Sequence, residues 1–390
     1  MGRKTSVNPM HLVDTTLFYS PTSGGVKRYL NAKHAWLRAH TSWEHTLVVP
    51  GPEDHFERGG ISTLAGVPVV GTFNYRLPLN PRRWTQLLAE LEPGIIEAGD
   101  AFHPAWCAAH VARQRGIPIA AFYHSNLPQI IGRRVGSVSE RVLGRYVRWL
   151  YDRFDVVFAP SRFMCAFLNE LGVYHTMHQP LGVDTEVFCP RRRTPGLRQR
   201  LGLACDARVL VYAGRFAGEK NLPMLLQTFA RLGRPYHLLL IGGDRVARPT
   251  SNITMLPYCR DSRELAQWLA SADALVHAGA KETFGLVILE AMACGRPVVA
   301  TQASAIPEFV DDSVGMLARP NDARSMAEAI AALYERDLQA IGAAARARVL
   351  QRFTWNQVFH LQTSTYASLL GARRPVPAAA DVLELRSPSS

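Results

Sequence analysis

The stretch QPLGVDTEVFCPRRRTPG, Gln179 to Gly196, decides how the chain is divided, because one rhythm of β-rich runs and helical patterns ends before it and begins again after it. It sets Pro180, Pro190 and Pro195 around a basic run, Arg191 to Arg193, and such composition marks an exposed linker or hinge. On its N-terminal side lie TTLFYS (15–20), HTLVVP (45–50), GIIEAGD (94–100), IPIAAFYH (117–124) and DVVFAPS (155–161). Amphipathic spacing follows these runs, as in Val26, Tyr29, Leu30, Ala32, Lys33 and Leu37. On its C-terminal side come RVLVYAG (208–214), HLLLIGG (237–243), NITML (252–256), DALVHAG (273–279) and RPVVAT (296–301). Alternation of this kind predicts parallel sheets with helices on both faces. Two α/β domains are also what a length of 390 residues favours. The expected division is 1–186, 187–355, a last helix over 356–372 that packs back toward the N-terminal domain, and a disordered Pro-, Ala- and Ser-rich tail over 373–390.

Composition limits the partners. A formal charge of +12 raises nucleic acid, anionic membrane and phosphorylated ligands. A nucleic-acid binder is disfavoured by the lack of a zinc knuckle, an aromatic-basic RNP pattern or a recognition-helix motif. The six cysteines lie far apart, with no C-x-x-C and no histidine at metal-ligand spacing, so they are expected to be reduced thiols in a cytosolic protein, and no metal site is expected. The opening MGRKTSVNPMHLVDTTLFYS lacks an apolar h-region, and no apolar run is long enough to span a bilayer. The expectation is a cytoplasmic protein whose membrane contact is at most peripheral, on the inner face.

In open α/β sheets ligands bind beyond the carboxyl ends of the strands, so the loops after strands hold the candidates. In SPTSGGVKRYL (20–30), Gly24 and Gly25 open a helix whose first amides suit a phosphate, although a plain tight turn explains them equally. In GRFAGEKNLPMLL (214–226), Arg215 and Lys220 project from one strand end, and a guanidinium with an ammonium suits a diphosphate. Two solvated loop charges are the alternative. In ETFGLVILE (282–290), a continuous helix would hold Glu282 and Glu290 about 12 Å apart, beyond the roughly 5 to 9.5 Å of paired glycosidase carboxyls. Gly285 is therefore expected to break the segment into a loop bearing Glu282 and a helix bearing Glu290. The amides of Gly285, Leu286 and Val287 would then face an anion, with an acid on each side, as a nucleotide sugar requires. Otherwise Glu282 serves as an acid in the helix-capping region and Glu290 as a solvated helix residue. In AFYHSNLP (121–128), His124 can donate a hydrogen bond or proton into a cleft, or be a structural histidine. His103 is a weaker version of the same case.

Together these residues resemble the retaining glycosyltransferases of family 4, with a GT-B fold of two Rossmann-like domains whose parallel sheets face each other across a cleft. ETFGLVILEAMACGRPVVAT is similar to that family's E-x7-E segment and GRFAGEKN to its G-R-x-x-x-x-K loop. SADALVHAGAKETFG, AIPEFV, VGMLARPND and PLGVDTEVF follow in the family's order. The resemblance implies that Gly24 and Gly25, Arg215 and Lys220 hold the donor diphosphate. It implies that Glu290 takes the ribose hydroxyls and Glu282 those of the transferred sugar, and that Phe284, Gly285, Leu286 and Val287 meet sugar and phosphates. It puts the nucleobase against the backbone of Cys259 and places His124 beside the reacting centre. It implies an α-retaining hexosyltransferase without cofactor or metal, which uses a donor of the GDP-mannose or UDP-glucose type on a saccharide or lipid-linked acceptor in polysaccharide or glycolipid synthesis. The chain departs from the family where Ala278 to Lys281 lacks the usual Pro-Ser and where ASAIPE replaces a frequent Gly-Gly pair.

The segment Arg133 to Asp155 holds six arginines among Val142, Leu143, Tyr146, Val147, Trp149 and Leu150. It reads either as a surface that rests on anionic lipid, suiting a lipid-anchored acceptor, or as a core helix with a basic outer face. An inactive nucleotide-sugar sensor is the alternative to an enzyme.

Overall fold

The computed structural model describes residues 10–20, 24–69, 75–126, 137–243 and 251–372. The tail over 373–390 and the start of the basic segment, 133–136, lie outside them. The N-terminal sheet has seven strands, β1 (His11–Thr15), β2 (Glu44–Gly51), β3 (Ile61–Ala65), β6 (Ile95–Ala98), β7 (Ile119–Phe122), β8 (Val156–Ala159) and β9 (Thr176–His178), in the order β3-β2-β1-β6-β7-β8-β9. A small antiparallel pair, β4 (Val67–Pro68) and β5 (Arg76–Leu77), stands apart. The second sheet has six strands, β10 (Arg208–Ala213), β11 (Tyr236–Ile241), β12 (Ile253–Leu256), β13 (Ala274–His277), β14 (Val298–Thr301) and β15 (Gly315–Ala318), in the order β12-β11-β10-β13-β14-β15. Every pairing in both large sheets is parallel.

The helices of the first half are α1 (Gly25–His40), α2 (Pro81–Glu90), α3 (His103–Arg115), α4 (Ser137–Tyr151) and α5 (Arg162–Glu170). Those of the second are α6 (Leu197–Arg200), α7 (Leu222–Leu232), α8 (Ser262–Ser271), α9 (Leu286–Ala293), α10 (Ala323–Tyr334), α11 (Leu338–Arg352) and α12 (Trp355–Ala372). The chain crosses between the halves at Gln179 to Val183 and again near Phe353 to Val358. The two crossings touch: Val183 N–H donates to the Phe353 carbonyl at 2.9 Å, and Gln179 Nε2 to the Val358 carbonyl at 2.9 Å.

The first strand corrects the sequence expectation. TTLFYS is not the strand: β1 is HLVDT, and the chain from Thr16 to Ser20 is the loop after it. The cause is that β1 carries polar residues into the core, where His11, Asp14 and Thr15 are all buried. They are tolerated because partners meet them. Lys33 of α1, 1% exposed, donates to Asp14 at 2.9 Å, to Glu97 of β6 at 3.0 Å and to Tyr366 Oη of α12 at 2.8 Å. Gln362 Nε2 adds hydrogen bonds to Tyr29 Oη at 2.6 Å and Glu97 at 3.0 Å, and Tyr366 Oη donates to Glu97. The cluster ties α1, β1, β6 and α12 together, and it fastens the last helix onto the N-terminal half.

Removing one member of a buried ion cluster leaves the others uncompensated, which costs about 3–5 kcal/mol. Lys33→Met is expected to lower stability by about that much in urea unfolding. A loss within experimental error of zero would contradict the assigned role of the cluster.

Candidate active site

Each sheet has one place where the strand order reverses: between β1 and β6 in the first, and between β10 and β13 in the second. Ligands of open α/β sheets bind in the crevice outside such points. Here the two crevices face one cavity of about 540 Å³, lined from both halves. The loop after β1 brings Gly24 and Gly25 to it, and the end of β7 brings His124. The loop after β10 brings Arg215 and Lys220, and the loop after β13 brings Glu282 and Phe284 to Val287. Cys259 and Glu290 complete the set, so the site residues singled out in the sequence line this one space with a single exception. His103 does not; its ring packs edge-on to Trp84, with centroids 5.3 Å apart.

The segment ETFGLVILE breaks at Gly285, whose φ of +97° starts α9. No side chain hydrogen-bonds into the start of this helix, and the partners of Glu282 are Lys220 and His277 instead. Its open first turn meets the opposing start of α1: a Cβ on Gly25 would lie 3.2 Å from Leu286 Cδ1. Two helix N-termini, each with a partial positive charge, thus converge on the cavity.

Glu282 accepts hydrogen bonds on Oε1 from Lys220 Nζ at 2.5 Å and from His277 Nε2 at 3.1 Å. Burial alone would raise its pKa, but the Lys220 ammonium and then His277 outweigh it and hold the carboxyl well below the usual range. Glu290 is 3% exposed, not solvated, and Arg28 Nη1 of α1 donates to its Oε1. The carboxylate in turn raises the pKa of that guanidinium. Arg28 was missed in the sequence, although it stands one helical turn after Gly25 and so shares its face. Arg215 is less enclosed, 3.8 Å from Glu219 with its side chain 45% exposed.

His124 is a neutral residue here. Its ring stacks on Phe122, with centroids 4.2 Å apart and planes at 9°, and meets Tyr29 edge-on at 5.0 Å. Burial, reinforced by the Lys33 ammonium, lowers its pKa to about 3. Its Nε2 is buried without a hydrogen-bond partner, while its carbonyl accepts from Thr283 Oγ1 at 3.2 Å. A proton donor at neutral pH is therefore the wrong role for this imidazole. Cys259 sits beside Tyr258 on the wall, its thiol pushed up to about 12 by burial and by Glu264. Phe284 is an anchor more than a wall, packed edge-on to Phe309 at 4.7 Å.

Further contacts close the two halves over the cavity. Ser161 Oγ donates to the Thr283 carbonyl at 2.9 Å, and Glu308 accepts the first amides of α5, Arg162 at 2.9 Å and Phe163 at 2.8 Å. The basic segment forms α4, with Val147, Leu150 and Tyr151 in the core and Val142 and Trp149 exposed. No helix among the described residues is long and apolar enough to cross a membrane. The six cysteines are all free thiols.

Comparison with known proteins identifies the family of the chain. The family model described as Glycosyltransferase Family 4 matches residues 23–187, and that described as Glycosyl transferases group 1 matches residues 207–336. A GDP-mannose-dependent alpha-(1-6)-phosphatidylinositol dimannoside mannosyltransferase of Mycobacterium tuberculosis is 28% identical over 382 residues, covering 94% of this chain and 98% of the relative. A GDP-mannose-dependent alpha-mannosyltransferase of Mycolicibacterium smegmatis is 30% identical over 306 residues, covering 76% and 80%. Among solved structures, sucrose-phosphate synthase from Thermosynechococcus elongatus superposes with a TM-score of 0.75 at 20% identity, covering 93% of this chain and all (100%) of that one. Anabaena HepE in complex with UDP and glucose gives 0.73 at 20% identity, covering 92% and 100%. The chain has the GT-B fold and belongs to glycosyltransferase family 4.

Proposed function

We propose that this glycosyltransferase moves a hexose, mannose from GDP-mannose, onto a saccharide or lipid-linked saccharide acceptor, with retention of the α configuration and without a metal ion. The observation that carries the reading is the arrangement around the start of α9. Glu282 and Glu290 stand on either side of that helix terminus, each paired with its own cation, Lys220 and Arg28, with Arg215 nearby. A diphosphate at the helix start would leave one acid for the ribose and the other for the sugar. The choice of mannose is supported by the relatives named as GDP-mannose-dependent; UDP-glucose is the competing donor.

The residues perform three tasks. Lys220 uses one of its three N–H groups on Glu282 and keeps two for phosphate oxygens. As the anomeric C–O bond breaks, negative charge grows on the leaving diphosphate, and Lys220, Arg215 and the helix amides stabilise it. Neutral His124 and ionised Glu282 line the sugar end of the cavity. In a front-face displacement the departing phosphate oxygen takes the acceptor's proton, so no side chain need act as a base.

The acceptor belongs to the N-terminal half in this reading. There Phe18 meets Tyr75 at 5.8 Å and Phe102 at 5.7 Å, both edge-on, and the three rings line the cavity. Outside, α4 presents Val142 and Trp149 among Arg141, Arg145 and Arg148, with Arg153 3.7 Å over the Trp149 ring. This face is proposed to rest on an anionic bilayer.

Thermal denaturation with GDP-mannose at a hundredfold its Kd is expected to gain about 2.7 kcal/mol of stability. Lys220→Ala and Glu290→Ala should lose most of that gain, and NMR of the product should show an α linkage. A β product, or variants that bind and turn over donor normally, overturns the reading; binding without GDP release in the presence of acceptors marks a sensor.

The pH profile gives a second check. His124 and Glu282 both have lowered pKa values, so between pH 6 and 8 the first stays neutral and the second ionised. Turnover is expected to show no limb near pH 6.5 that His124→Gln removes; finding one contradicts the neutral imidazole. The membrane face is tested by flotation with phosphatidylserine liposomes, where Arg141, Arg145 and Arg148→Gln together should abolish binding. Failure of the unmodified protein to float overturns that part.

A further inference from the structure

One buried side chain of the cleft has no part in the scheme above. His277 ends β13, is 2% exposed, and packs under Glu282. Its ring is held at both nitrogens. Gly279 N–H donates to Nδ1 at 3.1 Å, so the ring's proton sits on Nε2, and this N–H points to Glu282 Oε1 at 3.1 Å. Lys220 meets the same oxygen. Both donors therefore fall on Oε1, and among the described residues Oε2 is left for a ligand.

Gly279 is the second observation. A Cβ there would lie 2.7 Å from His277 Cε1 and 3.0 Å from Glu282 Oε1. No real side chain fits without moving either the ring or the carboxylate. The glycine that interrupts AGAKE where the family usually has Pro-Ser is thus matched to the histidine two residues before it. Its amide fixes the tautomer, and its missing side chain makes room for the ring.

We propose that His277 is a positioning residue: with Gly279 it orients the Glu282 carboxylate so that Oε2 meets hydroxyls of the transferred hexose, and it thereby sets hexose discrimination. Lys220 alone could not do this. A point ammonium on a flexible stem fixes charge but not the rotation of a carboxylate, whereas a ring clamped at Nδ1 fixes a direction. The proposal rests on the assignment of Glu282 to the sugar end of the donor.

The test measures binding of GDP and GDP-mannose, and of UDP and UDP-glucose, by calorimetry, together with nucleotide release from GDP-mannose and GDP-glucose. His277→Leu is expected to leave nucleoside diphosphate affinity within about twofold. The loss of one hydrogen bond to a charged group should lower kcat/KM for the preferred sugar nucleotide roughly tenfold or more, and narrow its preference over the epimer. His277→Gln, which restores an N–H donor, should recover most of the loss. Gly279→Ser, which keeps the histidine but displaces its ring, should show the same pattern and guards against a His277→Leu protein that fails to fold. Unchanged discrimination in Gly279→Ser and His277→Leu overturns the proposal, as does equal weakening of diphosphate and sugar-nucleotide binding. Glu282→Gln separates the two levels: if it impairs transfer and His277→Leu does not, only the positioning role falls, whereas if Glu282→Gln is itself without effect, the sugar-end assignment falls with it.

Discussion

The Lys220 ammonium against the Glu282 carboxylate is the contact on which the cleft depends. A buried carboxylate is tolerated only when a countercharge and hydrogen bonds compensate its desolvation, and here both donors are supplied from the second sheet's own switch point. Lys220 lies on the loop after β10 and Glu282 on the loop after β13, and these strands are neighbours. The pair thus ties together the two loops that frame the site. Among the described residues it also leaves two N–H groups of Lys220 without an acceptor, and these share the cavity with the Arg215 guanidinium and the start of α9, which no side chain caps. In the proposed reading such a site is prepared for a polyanion before one arrives, which is what electrostatic preorganisation means.

The rest of the fold holds the N-terminal half in register with that site. Arg28 on Glu290, Ser161 on the Thr283 carbonyl and Glu308 on the first amides of α5 all join the two halves around the cavity. Arg28 and Gly25 belong to α1, whose own placement is set from below by Lys33 and from behind by α12. The buried charge cluster and the active site are therefore two ends of one helix. The paired crossings at Gln179 to Val183 and Phe353 to Val358 run side by side and are hydrogen-bonded to each other.

Much of this was legible in the residues. Nearly every central strand was marked by an apolar run, because strands covered on both faces have no alternation to disguise them. The exception, β1, was hidden since His11 and Asp14 look like loop residues until Lys33, His45 and Thr46 are seen to meet them across the sheet. The edge strands β3, β9 and β15 escaped notice for the opposite reason: each carries residues that are only partly buried, and β9 is a mere three residues long. Motif residues were readable where the chemistry is local, as in Gly285 and the loop of Lys220. Arg28 and His277 were not, because their roles come from contacts across the cleft and across a strand end. Spacing cannot report such contacts. His124 was readable as a position but not as a protonation state, which its packing on Phe122 and Tyr29 determines.

The most direct test of the central claim compares nucleoside diphosphate with monophosphate. Calorimetric Kd values for GDP and GMP should differ by at least about tenfold in the intact protein, in line with a charge-assisted contact to the outer phosphate. That gap should close in a Lys220→Met, Arg215→Met protein. An undiminished gap in the double variant, or no gap in the intact protein, would contradict the account.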